Sequence, residues 1–174
     1  LLLCANATFV ARGLDRDPKH LRNILLEGAK HKGTSFIEIY QNCHVFNDGV
    51  FEVFTDKKIK DEHTIYLEEG KPLVFDKGEK AIVLDSGKPV IIEANRLSDE
   101  TAWIHDPSDA HKAFWLAKFE GMEEMPRPFG VLYAEDRPTY EEQSYDQMND
   151  VKDQNEVANL DHLLRGNQYW NISE

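Results

Sequence analysis

The chain has 174 residues, 41% of them hydrophobic and 30% charged, with a formal net charge of -12; that is enough for one packed domain or a piece of a larger one. The acidic balance excludes a general nucleic-acid binder, which presents a basic face. No apolar run approaches the ~20 residues of a membrane-spanning helix, and Leu1-Leu2-Leu3 is too short, and lacks the basic flank, to be a signal peptide.

Two cysteines cannot form a disulfide framework, and free thiols suit a cytoplasmic protein. The first residue is leucine rather than methionine, so the chain is read as a fragment. Thr8-Phe9-Val10-Ala11-Arg12 is a short β-prone run that Gly13 is expected to break. Asp17-Pro18 is a strong helix start, with an acceptor at the N-cap and proline at the first helical position. Leu21, Ile24, Leu25 and Gly28-Ala29 follow at helical spacing. His31 and Lys32 are expected in the last turn and Gly33 just past the end. Ser35 to Tyr40 is the next apolar run.

Strand, capped helix and strand make a βαβ unit, and such units form parallel sheets. Open parallel sheets bind ligands at the carboxyl ends of their strands. Gln41-Asn42-Cys43-His44-Val45-Phe46-Asn47-Asp48-Gly49 lies at that end, so topology alone points to Cys43. Spacing leaves a second reading open, that of a small buried hydrophobe. Cys4 is expected to pack within its apolar run. His44 is read as solvated, because no CxxC or HxxxH pattern accompanies it. Asn47-Asp48-Gly49 reads either as a group orienting the loop or as a plain turn.

Val50 to Thr55 alternates and is expected as a short strand. Leu73-Val74-Phe75, Ala81-Ile82-Val83-Leu84 and Pro89-Val90-Ile91-Ile92-Glu93 are separated by turn residues, and Asp85-Ser86-Gly87-Lys88 is a hairpin loop. They form a β-rich appendage over residues 64–95. A helix over 107–120 starts at Asp106-Pro107-Ser108-Asp109, with Ala110, Phe114, Ala117 and Gly121 on one face and Trp115 and Phe119 widening it. His105, Asp106, Asp109 and His111 invite a metal reading, but capping explains the aspartates. Pro126-Arg127-Pro128 is read as a stiff linker into a strand at Val131-Leu132-Tyr133. Thr139-Tyr140-Glu141-Glu142 is a capping box, opening a helix over 139–149; another covers 156–165. From Glu135 to Asp161 the chain is acidic, with few apolar anchors. Arg137 is the cation to watch, with an ion pair to Glu135 or Asp136 as its plain alternative.

Three of these stretches, Thr8-Phe9-Val10-Ala11-Arg12-Gly13, Asp17-Pro18-Lys19-His20-Leu21 and Gln41-Asn42-Cys43-His44-Val45-Phe46-Asn47, resemble the beta subunit of 2-oxoacid:ferredoxin oxidoreductases, nearest to the 2-oxoglutarate type. Pro128-Phe129-Gly130-Val131-Leu132-Tyr133 and Glu135-Asp136-Arg137-Pro138-Thr139-Tyr140-Glu141-Glu142 match a second signature in the right order. The resemblance implies an α/β fold: the C-terminal part of a parallel-sheet thiamine-diphosphate-binding domain, followed by a β-rich appendage and a helical acidic tail. Residues 1–49 would end that domain and residues 50–174 would be a C-terminal extension.

The resemblance further implies thiamine diphosphate with magnesium and a 4Fe-4S cluster as cofactors. Three cluster cysteines and the Gly-Asp-Gly…Asn motif would lie before this chain, and Cys43 would be the fourth ligand. Asn47 and Asp48 would lie by the cofactor and cluster loop. The implied reaction is oxidative decarboxylation of a 2-oxoacid, foremost 2-oxoglutarate, with coenzyme A and ferredoxin, in complex with an alpha subunit. No catalytic residue is assigned, and the fragment alone is expected to be inactive. The competing reading is a non-catalytic assembly module derived from such a subunit.

Overall fold

The computed structural model describes residues 1–154, 160–166, 170 and 172. Two compact units divide at Arg137/Pro138. The first contains β1 (Phe9–Leu14), α1 (Pro18–Lys30), β2 (Ser35–Tyr40), α2 (Lys60–His63), β3 (Thr64–Tyr66), β4 (Val74–Phe75), β5 (Lys80–Asp85), β6 (Lys88–Glu93), α3 (Ala110–Lys118) and β7 (Arg127–Ala134). The second contains α4 (Tyr140–Gln154) and α5 (Leu160–Arg165).

The main sheet has the order β2-β1-β7-β3 and is mostly parallel: β1 with β2 and β3 with β7 are parallel, whereas β1 with β7 is antiparallel. β1, α1 and β2 form the expected βαβ unit, in register from Phe9 opposite Ser35 to Leu14 opposite Tyr40. Asp17 caps α1, its carboxylate accepting from the His20 N–H at 3.1 Å. Ile24 seals the helix onto Phe9 and Ala11.

Gly13 does not break β1. It lies inside the strand, where a Cβ would come within 2.8 Å of Leu21 Cδ1, so glycine serves close helix–sheet approach. α1 also ends one residue earlier than its charges suggest. His31 leaves the helix in an extended conformation, its ring bonding Ser35 Oγ at 3.2 Å and the Glu135 carbonyl at 3.0 Å. Lys32 and Gly33 therefore lie in the connection to β2.

Residues 50–55 form no strand. A 3₁₀ turn over Glu52–Phe54 puts Phe51 and Phe54 on one side, because positions i and i+3 eclipse in that geometry. Both rings pack on Tyr40. Within 64–95, β3 joins the main sheet, while β4, β5 and β6 form a separate antiparallel sheet. The β5–β6 hairpin turns at Ser86-Gly87, both at positive φ, as a two-residue turn of that twist requires.

α3 is shorter than 107–120 and buries a different face. Asp109 caps it, accepting from the His111 and Lys112 N–H groups. Ala113 and Leu116 are buried, with Phe119 in the 3₁₀ turn that follows, while Phe114 is partly exposed. Leu116 and Phe119 close the largest core, with Ile65, Leu73, Ile82 and Trp103. Arg127 and Pro128 belong to β7 rather than to a linker. Pro128 lies in a stretch paired with β3 alone, where a missing donor is tolerated.

In the second unit Thr139 and Glu142 form the capping box, with reciprocal bonds of 2.9 and 3.2 Å, and α4 runs to Gln154, past the expected 149. Of the helix expected over 156–165, Leu160–Arg165 is present; residues 156–159 lie outside the described residues.

Burial separates the weight of these elements. Leu116 has no exposed surface, whereas Tyr145 on α4 is mostly exposed. Leu116→Ala should cost about 2–5 kcal/mol in urea unfolding. Tyr145→Ala should fall within about 0.5 kcal/mol of the parent. Equal losses would contradict this core assignment.

Candidate functional site

β1 and β2 deliver their carboxyl ends to one edge of the sheet. The residues just beyond them line an open cleft of about 570 Å³: Asp15 and Arg16 after β1, then Asn42, His44 and Asp48 after β2, with the segment 51–56 as its far wall. This is where an open parallel sheet is expected to bind.

The loop after β2 is held at its base by rings. Tyr40, the last residue of β2, stacks on Phe51 at 4.4 Å and meets Phe129 edge-on at 5.7 Å. The guanidinium groups of Arg12 and Arg127 lie 5.3 and 5.6 Å from its ring centre, and Arg127 donates to its hydroxyl. Burial in this cluster pushes the Tyr40 hydroxyl above its ordinary value. Glu38 pairs with Arg12 at 2.6 Å and Glu120 with Arg127 at 2.7 Å, so both cations are matched.

Above that base the loop ties itself. Asn42 Oδ1 accepts from the Gly49 N–H at 2.9 Å, and its Nδ2 donates to Asp48 Oδ1 at 2.9 Å. His44 Nδ1 reaches the same carboxylate oxygen at 3.0 Å. These bonds, Asn42 first, hold the Asp48 carboxyl below its usual range. The Asn47 N–H donates to the Cys43 carbonyl at 2.9 Å. Gly49 takes φ 76, the left-handed conformation that closes the loop.

This winding turns backbone N–H groups onto Cys43. Hydrogen bonds from Phe46, then Val45, and more weakly from Asn47, lower the thiol below its ordinary value. Cys43 is partly accessible, and beside it Val45 and Phe46 are 80% and 90% exposed. An accessible thiolate held by main-chain donors has the chemistry of a soft-metal or iron–sulfur ligand. Among the described residues, no group of three or more His, Cys, Asp and Glu side chains is placed to hold a metal ion. On this edge of the sheet Cys43 is the one thiol among the described residues.

The cleft sets Asp15, Asp48, Glu52 and Asp56 against the single Arg16. That excess of carboxylates does not by itself fit a diphosphate. Asp48 serves the loop through Asn42 and His44, and Asn47 serves it through its main chain.

Other expected sites resolve differently. Cys4 is exposed rather than packed, because residues 2–6 form turns whose bonds are local. His105 is buried, its Nε2 at 2.9 Å from the Val131 carbonyl, and desolvation lowers its pKa. Asp106 accepts from Ser108, and Asp109 caps α3. Arg137 pairs with Glu135 at 2.6 Å. Sequence reasoning missed Asn42 and Arg12 as organisers. The one signal was the parallel register, which sets Arg12 opposite Glu38.

No protein-family model matches the chain. It is similar to the 2-oxoglutarate oxidoreductase subunit KorB of Mycobacterium tuberculosis, 30% identical over 99% of this chain and 47% of that protein. The 2-oxoacid:ferredoxin oxidoreductase subunit beta of Saccharolobus solfataricus is 39% identical over 34% of this chain and 19% of its own length. The chain thus spans about half the length, or less, of these relatives. Among solved structures, the 2-oxoglutarate:ferredoxin oxidoreductase from Magnetococcus marinus, with 2-oxoglutarate, coenzyme A and succinyl-CoA bound, aligns with a TM-score of 0.55 and 18% identity. It covers 87% of this chain and 38% of that one, a likeness of fold.

The main-chain donors at Cys43 make a testable chemical statement. In a Cys4→Ser chain, iodoacetamide alkylation of Cys43 should reach half its maximal rate at a pH below the ~8.5 of an ordinary thiol. A midpoint at or above that value would contradict the arrangement.

Proposed function

We propose that this chain, a homologue of the beta subunits of 2-oxoacid:ferredoxin oxidoreductases, is part of such a subunit and that Cys43 is one ligand of its 4Fe-4S cluster. The enzyme would oxidatively decarboxylate a 2-oxoacid, foremost 2-oxoglutarate, with coenzyme A. The products are an acyl-CoA, carbon dioxide and reduced ferredoxin. Its setting is cytoplasmic and its partner an alpha subunit. Among the described residues, no helix is long and apolar enough to cross a membrane.

The observation that carries this reading is the Cys43 loop. A thiol of lowered pKa, ringed by main-chain N–H groups, stands on the binding edge of a mostly parallel sheet. Clusters of this kind take four thiolates, and among the described residues this edge of the sheet offers one, Cys43. When bound, thiamine diphosphate and the cluster supply the decarboxylation and the one-electron transfers. This chain's own residues present a thiolate, donate N–H groups to its sulfur and fix the loop. Asn47 and Asp48 hold that loop at the cofactor edge. The groups for the diphosphate and magnesium would come from the portion of the subunit outside the match, a reading supported by the excess of carboxylates in the cleft. Residues 1–49 would then end the cofactor domain and residues 50–174 form its extension. The fragment alone would be inactive.

In a complete complex, Cys43→Ala should lower iron content, abolish the native low-temperature EPR signal and remove 2-oxoacid-dependent reduction of a viologen. Unchanged iron and an unchanged signal would refute the ligand assignment and favour the assembly-module reading.

A further inference from the structure

A second hollow, of about 590 Å³, opens between α1 and the segment that follows β3, and it shares no residue with the cleft beside Cys43. Its floor is apolar: Phe9 and Val131 from the sheet, Ile24 from α1, and Leu67. A smaller hollow of about 320 Å³ continues it along α1 toward Asp17, with His20, Asn23, Leu67 and Glu68 common to both. Between Asp17 and Glu27 the helix rises roughly 15 Å, so the two make one elongated groove. Its rim is acidic. Glu27, Glu68 and Glu69 line the larger hollow and no lysine or arginine does; Lys19 stands at the far end, beside Asp17. Among the described residues none of these three carboxylates has an ion-pair or hydrogen-bond partner. Glu38, Glu120 and Glu135, by contrast, each pair with an arginine.

Two imidazoles also line the groove. His105 is 2% exposed, and its Nε2–H donates to the Val131 carbonyl at 2.9 Å, which leaves its Nδ1 an acceptor. That atom and the Nδ1 of His20 are buried without a hydrogen-bond partner. Burial holds both rings below the ordinary histidine range, so they are neutral at pH 7. Unmatched carboxylates and neutral acceptors over an apolar floor call for N–H donors and positive charge on an aliphatic stem. We propose that this groove binds a linear aliphatic polyamine, its ammonium groups among Glu27, Glu68 and Glu69 and its methylene stem along Ile24 and Leu67. Such stems lie on apolar surface while their charged heads stay with polar groups. A compact divalent ion fits less well, because among the described residues no three His, Cys, Asp or Glu side chains converge to hold one. The site is independent of the cluster-ligand reading.

The test is calorimetric titration of the chain with spermidine at about 0.15 M ionic strength, where exposed charges more than about 8 Å apart are largely screened. Binding should be saturable, with one spermidine per chain. Glu27→Gln/Glu68→Gln/Glu69→Gln should weaken it at least about tenfold. Glu141→Gln/Asp146→Asn/Asp150→Asn, which removes as many charges from α4, should leave it within about twofold of the parent. Asn23→Trp fills the groove with its charges intact, and with circular dichroism and urea midpoint unchanged it should abolish binding. The Cys43→Ala chain should bind like the parent, so loss of the cluster reading leaves this one standing. Equal weakening by the two triple variants would reduce the attraction to diffuse charge and overturn the proposal. So would undiminished binding by Asn23→Trp, displacement of spermidine by an equal concentration of magnesium, or tighter binding of a lysine-rich peptide, which would make the groove a protein-docking surface instead.

Discussion

The clamp around Tyr40 is the constraint on which the site depends. Tyr40 ends β2 and Phe51 follows the loop, so their 4.4 Å stack closes the loop at its base. Aromatic pairs of this kind contribute about 0.5–1.5 kcal/mol each beyond the area they bury. Tyr40 makes three of them, and two guanidinium groups bear on its ring. Arg12 and Arg127 come from β1 and β7, so the clamp draws on three adjacent strands. Burying two cations there is tolerable because Glu38 and Glu120 match them. The fold thereby fixes the base of the loop that carries Cys43.

Above the clamp, Asn42 does for the loop's polar groups what Tyr40 does for its base. One side chain joins Gly49 and Asp48, and His44 reaches that same carboxylate. The winding that results turns the Phe46 and Val45 N–H groups onto the Cys43 sulfur, and these hold the thiol below its ordinary value. Donors of this kind stabilise a thiolate and, in an iron–sulfur site, set its potential. Val45 and Phe46, next to Cys43 in the loop, are 80% and 90% exposed.

The βαβ unit was legible because its signals are local: the Asp17-Pro18 start, the helical spacing and two β-prone runs. The hairpin at residues 85–88 and the Thr139–Glu142 capping box were legible for the same reason. What escaped depends on distant partners. Residues 50–55 alternate like a strand, but Phe51 and Phe54 are drawn to Tyr40 and the segment winds instead. The apolar residues of α3 nearly encircle it, so spacing could not select Ala113 and Leu116 as the buried face. The antiparallel return of β7 beside β1 has no local signature, nor does β3's place in the main sheet. In the candidate site, the position of Cys43 after β2 followed from topology, whereas the service of Asn42 and Arg12 appears only with coordinates.

The most direct test of the account is the Mössbauer spectrum of the iron-loaded complete complex carrying Cys43→Ser. If Cys43 ligates the cluster, one of its four iron sites should change isomer shift and quadrupole splitting as oxygen replaces sulfur, while the other three keep theirs. A spectrum identical to that of the parent would contradict the account.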